Sequence, residues 1–335
     1  MLESKQPRPQ TELFPFMDAT VQALLQGDHR ALSRLLSVVE RGDPMAAQVM
    51  EQIYPYTGKA YCVGITGPPG SGKSTMVGSI VQLLRTRGLE VGVIAVDPSS
   101  PYSGGALLGD RVRMNRHYLD PGVFIRSIAT RGSHGGLPRI INGVVKLVDA
   151  SSKDVVLVET VGVGQTELSV MGVADTVVVT MVPEAGDIIQ TMKAGLLEIA
   201  DIYVVNKSDL KGADRMIEAI ESMLNMAPTK PERVPPVLAT RSNRDEGIEE
   251  LYDAVLAHRH YMEQNSLLEM RRRKRRTTEF LGAVQDELGR RLLERISGES
   301  KLMSVLHSVD NGEQEAYSSA LSVLEQGLLS DIIPN

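Results

Sequence analysis

The sequence predicts an α/β fold with a mainly parallel central sheet, flanked by helices and extended by helices at both ends. Three observations carry that reading. Short β-branched apolar runs alternate with helical stripes through the middle of the chain. The runs are nearly continuous rather than alternating, as strands buried on both faces are. The two ends show only helical periodicity.

Taken in order, residues 1–15 read as a loose tail. From 16 to 41, Val21, Leu24, Leu25, Ala31, Leu32, Leu35, Leu36 and Val39 form a helical stripe interrupted near Gly27. Gly42 and Pro44 end it, and a second short helix runs to about Ile53. Seven strand-like runs follow, at 61–66, 91–96, 123–128, 155–158, 176–182, 202–205 and 234–238. Helices are expected between them at 74–87, 136–150, 187–200 and 213–224. From 246 to 296 there is no proline and no strand pattern, and Leu281, Val284, Leu288, Leu292 and Ile296 make a further stripe. One helix of that length would be about 75 Å long. It either breaks, near Asn265–Ser266, or projects as an arm that packs on a second chain. A last helix is expected at 314–329. The domain reading is a helical extension over 1–56, an α/β domain over 57–260 and a helical arm over 261–335.

Composition narrows the function. The chain has 335 residues, a net charge of −6, one cysteine and no tryptophan. The acidic balance argues against general nucleic-acid binding. The single Cys62 excludes an internal disulfide and any Cys-x-x-Cys site. No apolar stretch approaches the ~20 residues of a spanning helix, and residues 1–10 lack a signal core, so a cytoplasmic protein is expected.

The strongest motif is Gly67-Pro68-Pro69-Gly70-Ser71-Gly72-Lys73-Ser74, which matches G-x-x-x-x-G-K-[ST] between a strand and a helix. Glycines let the backbone N–H groups curl inward onto phosphate oxygens, and the helix N-terminus adds its positive end. Lys73 is expected on the β- and γ-phosphates and Ser74 on Mg²⁺, with Thr75 also among the nucleotide-binding residues. The fold is therefore expected to be of the P-loop NTPase type.

Asn206-Lys207-Ser208-Asp209 follows the sixth run. A carboxylate at Asp209 can accept from both N1–H and the N2 amine of guanine. Adenine offers neither, so a buried acid would be left unpaired at a cost of about 1–3 kcal/mol. Asn206 and the Lys207 stem would brace the loop. Thr240, Arg241 and Ser242, at the end of the seventh run, are expected to complete the pocket through backbone N–H groups.

Three acids sit at strand ends or between strands: Asp97, Asp110 and Glu159. Each can hold Mg²⁺ directly or through water. Glu159-Thr160-Val161-Gly162 stands where many GTPases carry D-x-x-G, so the Gly162 N–H would contact the γ-phosphate, and Gln165 is a candidate for orienting water. Arg111 and Arg113 are candidates for stabilising phosphate charge, or are exposed helix arginines. The segment after the fifth run holds Pro183, Gly186, Asp187, Gln190 and Lys193, a switch candidate or an ordinary connection. Arg271–Arg276 is a basic run that would point all round a helix, so it reads as solvated or partner-facing. His258 and His260, two apart, cannot share a helix face and suggest no metal site.

Together these residues resemble the MeaB/ArgK-type GTPases. The resemblance runs through residues 64–75, Val96-Asp97-Pro98-Ser99-Ser100, Gly104-Gly105, Gly109-Asp110-Arg111-Val112-Arg113-Met114 and Val158-Glu159-Thr160-Val161-Gly162-Val163-Gly164-Gln165. It covers about residues 15–330. The resemblance implies GTP/GDP and Mg²⁺ as ligands, with Lys73, Ser74, Asp97, Asp110 and Glu159 matching the metal-nucleotide site. It implies a homodimer joined through the C-terminal arm. It also implies a chaperone role for an adenosylcobalamin-dependent acyl-CoA mutase, with the adenosyltransferase as a further partner and a third switch at 183–195. That switch reads Pro183-Glu184-Ala185-Gly186-Asp187 where the family commonly shows Pro-Gly-x-Gly-Asp. Ile188, Ala194 and His134 are also atypical and sit where partner contacts are expected. Two alternatives use the same P-loop: a small-molecule or protein kinase, and a metal-delivery GTPase, which the cysteine and histidine inventory disfavours.

Overall fold

A computed structural model describes residues 10–98, 117–130, 136–160, 172–183, 199–226, 233–298 and 300–325. Three helices open the chain: α1 (Gln10–Leu25), α2 (His29–Glu40) and α3 (Ala46–Ile53). Helix α1 begins inside the segment expected to be a tail. The break between α1 and α2 falls at Gly27, whose φ is +84°, and Asp28 caps α2 by accepting from the N–H groups of Arg30 and Ala31.

Among the described residues, seven strands then form one sheet: β1 (Tyr61–Thr66), β2 (Val91–Pro98), β3 (Val123–Thr130), β4 (Val155–Thr160), β5 (Thr176–Met181), β6 (Ile202–Asn206) and β7 (Val237–Thr240). Their order is β3-β2-β4-β1-β5-β6-β7, and every pair is parallel. All seven expected strands are present. The last starts at Val237 rather than 234, because Pro235 and Pro236 have no N–H to give a neighbouring strand. The Pro236 carbonyl still accepts from the Tyr203 N–H.

Helices α4 (Lys73–Thr86), α5 (Gly136–Ala150), α6 (Ala213–Met226) and α7 (Ile248–Gln264) surround the sheet. The period-2 geometry of a strand divides its side chains between two cores. Val177 and Val179 pack with α1–α3, α5 and α6 on one face. Val178 packs with α4 and α7 on the other. Leu24, Leu32, Leu35 and Leu36 of the N-terminal helices share the first core with Ile94 and Val96, so these helices cover one face of the sheet.

The long proline-free segment breaks where one of the two sequence alternatives put it. Asn265 caps α7, and Ser266 takes a φ of +58°. Helix α8 (Leu267–Gly298) follows, then α9 (Ser300–Asp310) and α10 (Ala316–Glu325). The chain forms two compact units, Met1–Arg273 and Lys274–Asn335. The first turns of α8 thus belong to the first unit. No helix among the described residues is long and apolar enough to cross a membrane.

Candidate nucleotide site

Because the strands are parallel, the ends of β1, β4, β5, β6 and β7 share the C-terminal edge of the sheet. The strand order reverses direction around β1, the crevice where open α/β sheets take their ligands. The P-loop leaves β1 here and enters α4. Gly67 has a φ of +139°, and a Cβ on it would stand 2.0 Å from the Thr180 carbonyl oxygen. Gly72, with a φ of +86°, would meet the Asn206 amide nitrogen at 2.4 Å. Only glycine fits at either place.

Lys73 is buried, and its Nζ donates to the carbonyl oxygens of Gly67 and Pro68, both at 2.9 Å. The ammonium is thereby folded back over the loop it follows. Ser71 Oγ is fully buried and finds no hydrogen-bond partner among the described residues. An orphan hydroxyl inside a glycine-rich cradle fits a phosphate oxygen, since leaving it unsatisfied costs about 1–3 kcal/mol.

At the end of β4, Glu159 is 4% exposed and its Oε1 accepts from Ser74 Oγ at 2.6 Å. A hydroxyl and a carboxylate side by side are hard oxygen donors of the type Mg²⁺ prefers. Beneath them, Thr160 Oγ1 donates to Thr66 Oγ1 at 2.8 Å, joining the ends of β4 and β1. Asp97 lies on β2 opposite Ala129. Asp110, Arg111, Arg113, Gly162, Gln165, Gly186, Asp187, Gln190 and Lys193 lie outside the described residues.

Asn206 joins the second motif to the first. Its Nδ2 donates to the Ser71 carbonyl at 2.8 Å. Its Oδ1 accepts from Thr240 Oγ1 at 3.0 Å, Ser242 N at 3.1 Å and Ser242 Oγ at 2.9 Å. Lys207 then takes a left-handed conformation, φ +55°, which turns the chain sharply out of β6. Asp209 was expected to be buried. It is half-exposed, at the rim of the site, with Arg241 Nε 4.0 Å away. The expectation that backbone N–H groups of the last loop face a base is also corrected for two residues. The Arg241 N–H donates to the Glu246 carbonyl, and the Ser242 N–H is taken by Asn206. Arg241 contributes its guanidinium instead, shared between Asp209 and Glu246.

Ser79 was not singled out in the sequence. From α4 its Oγ donates to the Ser242 carbonyl at 2.9 Å, closing a circuit through Asn206 back to the P-loop. A buried serine on an apolar helix face gives no local sign of that role.

A family model described as "Methylmalonyl Co-A mutase-associated GTPase MeaB" matches residues 32–297. The chain belongs to the MeaB family. It is 44% identical over 313 residues to a putative GTPase of Pyrococcus abyssi, covering 92% of this chain and 96% of that one. It is 38% identical over 247 residues to the GTPase ArgK of Escherichia coli, covering 71% and 74%. A crystal structure titled "LAO/AO transport system kinase" superposes with a TM-score of 0.70 at 25% identity, over 96% of this chain and 99% of that one. This MeaB-family chain is therefore a P-loop GTPase that binds guanine nucleotide and hydrolyses GTP. Among its described residues there is no group of three His, Cys, Asp or Glu side chains able to hold a metal ion.

Proposed function

We propose that this GTPase is Mg²⁺-dependent and serves as a chaperone of an adenosylcobalamin-dependent acyl-CoA mutase, gating cofactor delivery and protecting the mutase. The observation that carries the partner is the family description itself, a GTPase associated with methylmalonyl-CoA mutase. The site chemistry supports the rest. Ser74 and Glu159 are two of the oxygen donors proposed for Mg²⁺, with Asp97 and Asp110 as the others. The ion would supply charge neutralisation between the β- and γ-phosphates.

The protein's own residues have separate tasks in this reading. Lys73 leaves the Gly67 and Pro68 carbonyls for phosphate oxygens. Ser71 and the loop N–H groups line the cradle. Asp209 reads the guanine edge, while Asn206 holds the P-loop and the base loop at a fixed spacing. Gly162 senses the γ-phosphate and Gln165 orients water. Gly186, Asp187, Gln190 and Lys193 form the switch that answers to the mutase.

A homodimer completes the proposal. In the second unit Leu281, Val284 and Leu288 recur at helical spacing and are exposed by 54%, 40% and 37%. Such a stripe on a long helix suits a second copy of the same helix.

The deciding experiment measures GTP hydrolysis by the full chain with and without an adenosylcobalamin-dependent mutase. Stimulation together with co-elution is expected. An unchanged rate with no co-elution overturns the chaperone reading.

A further inference from the structure

The basic run was expected to be solvated or partner-facing, yet its first two members bind residues at the start of three strands. Arg271 donates through Nη1 to the Asp175 carbonyl at 2.7 Å and to Asp201 Oδ2 at 2.9 Å, and through Nη2 to Asp201 Oδ1 at 3.1 Å. Arg272 donates through Nε to Asp175 Oδ1 at 3.1 Å and through Nη2 to Asp175 Oδ2 at 2.6 Å. Its remaining donors reach the carbonyls of Gly58, at 2.7 Å, and Ala60, at 3.0 Å. These are forked, charge-assisted contacts of the strong class.

Both carboxylates also tie strands together. Asp175, 1% exposed, accepts from the Cys62 N–H at 3.1 Å. Asp201 accepts from the Val177 N–H at 2.9 Å. A second chain of contacts runs through the same place. Tyr61 Oη lies 2.6 Å from Thr176 Oγ1, Thr176 Oγ1 lies 2.7 Å from His258 Nδ1, and His258 Nε2 lies 3.3 Å from Asp201.

The placement of this cluster gives it meaning. Gly58 and Ala60 precede β1, Asp175 precedes β5 and Asp201 precedes β6. Those three strands are neighbours in the sheet. At their other ends they carry the P-loop, the segment beginning at Pro183 and the Asn206 motif. Two adjacent arginines at the root of α8 therefore grip, from below, the three strands whose tips form the nucleotide site. Packed strands transmit displacement because the interior around them has little compressibility.

We infer that Arg271 and Arg272 are positioning residues that couple nucleotide occupancy to the root of α8. The inference rests on reading the P-loop and Asn206-Lys207-Ser208-Asp209 as the nucleotide site. Ligand binding at that site shifts the three strands along their length, and the arginine fork passes the shift to residues 267–273. In the other direction, a load on the helix changes how well the site discriminates GTP from GDP.

The test uses the full chain without nucleotide, with GDP and with a non-hydrolysable GTP analogue. Binding is first established with a fluorescent guanine nucleotide. Amide hydrogen exchange is then followed in peptides covering 58–62, 175–177 and 267–273. Protection that differs several-fold between the GDP and analogue states is expected. Arg272→Gln should abolish that difference and shift the ratio of GDP to analogue affinity several-fold, with Arg272→Lys intermediate. A merely structural role would lower thermal stability in all states while leaving the ratio unchanged, and that result overturns the inference. Equal exchange in the three states of the wild-type chain, with nucleotide bound, overturns it even if the variants fail to fold. Failure to bind any guanine nucleotide strikes the site reading instead, and the inference falls with it.

Discussion

Asn206 Nδ2 donates to the carbonyl oxygen of Ser71 at 2.8 Å, so the motif proposed to face the base also holds the loop proposed to face the phosphates. The same side chain accepts three hydrogen bonds from Thr240 and Ser242. Replacing it by alanine strands buried donors and an acceptor, at about 1–3 kcal/mol. Asn206→Ala is expected to weaken GTP and GDP together by roughly ten- to hundred-fold, since about 1.4 kcal/mol is tenfold. Calorimetric titration with both nucleotides checks this. Loss of only one of the two affinities would contradict a shared brace.

Lys73 tests the phosphate end. It is held by two carbonyls and buried, ready to exchange those acceptors for phosphate oxygens. Lys73→Ala is expected to cut GTP turnover by at least about a hundredfold, the usual scale for removing a charge that stabilises the transition state. Circular dichroism should show an intact fold. Near-normal hydrolysis would remove Lys73 from the site.

Much of this was legible in the chain because it is local. Each of the seven strands is a β-branched run, and the P-loop sits between the first of them and its helix. The break at Asn265–Ser266 was one of two alternatives, and the positive φ of Ser266 is what realises it. The cluster under the sheet was not read, because its partners are far apart in sequence: Arg272 and Asp175 are separated by 97 positions. One trace of it is visible in retrospect. Ala174-Asp175 and Ala200-Asp201 repeat the same dipeptide immediately before β5 and β6. The exposure of Asp209 was also out of reach, since burial at a loop rim depends on how neighbouring loops pack.

Asp201 gives the fold a defined acid limit. Burial alone would raise its pKa, but hydrogen bonds from His258 and Arg271, with the Arg271 charge, hold it at about 2 against the ordinary 3.8. The folded value lies below the unfolded one, so the stabilisation is complete above about pH 4 and is lost as pH falls through about 2. A carboxyl held that far below its ordinary range contributes about 2 kcal/mol. Urea unfolding should therefore show a steep loss of stability between pH 4 and 2. Asp201→Asn should remove that part of the pH dependence while lowering stability at neutral pH, because Arg271 loses its charged partner.

The apolar stripe of α8 predicts an oligomer. Leu281, Val284 and Leu288 lie three and four residues apart, on one side of the helix. A charge placed in the middle of a joined stripe must be desolvated without a partner. Val284→Asp is expected to convert a dimer to a monomer in sedimentation equilibrium while leaving nucleotide affinity unchanged. A wild-type chain that sediments as a monomer would dismiss the dimer.

Guanine selectivity can be tested at the rim. Asp209 is half-exposed, and Arg241 stands 4.0 Å from it while bonding Glu246 at 3.0 Å. The Asp209 carboxylate is a negative acceptor with the guanidinium nearby, at the proposed mouth of the pocket. Guanine presents two donors to that acceptor, whereas xanthine replaces the exocyclic amine by a carbonyl. Asp209→Asn supplies an amide donor where the carboxylate stood. GTP affinity is expected to fall about ten- to hundred-fold, on the scale of one lost charged hydrogen-bond pair, and xanthosine triphosphate should bind better than to the wild type. Competition titration with GTP, ATP and xanthosine triphosphate measures all three. If GTP binds the variant as tightly as the wild type, Asp209 does not read the base. The guanine preference would then have to come from the loop that Asn206 and Ser79 hold in place.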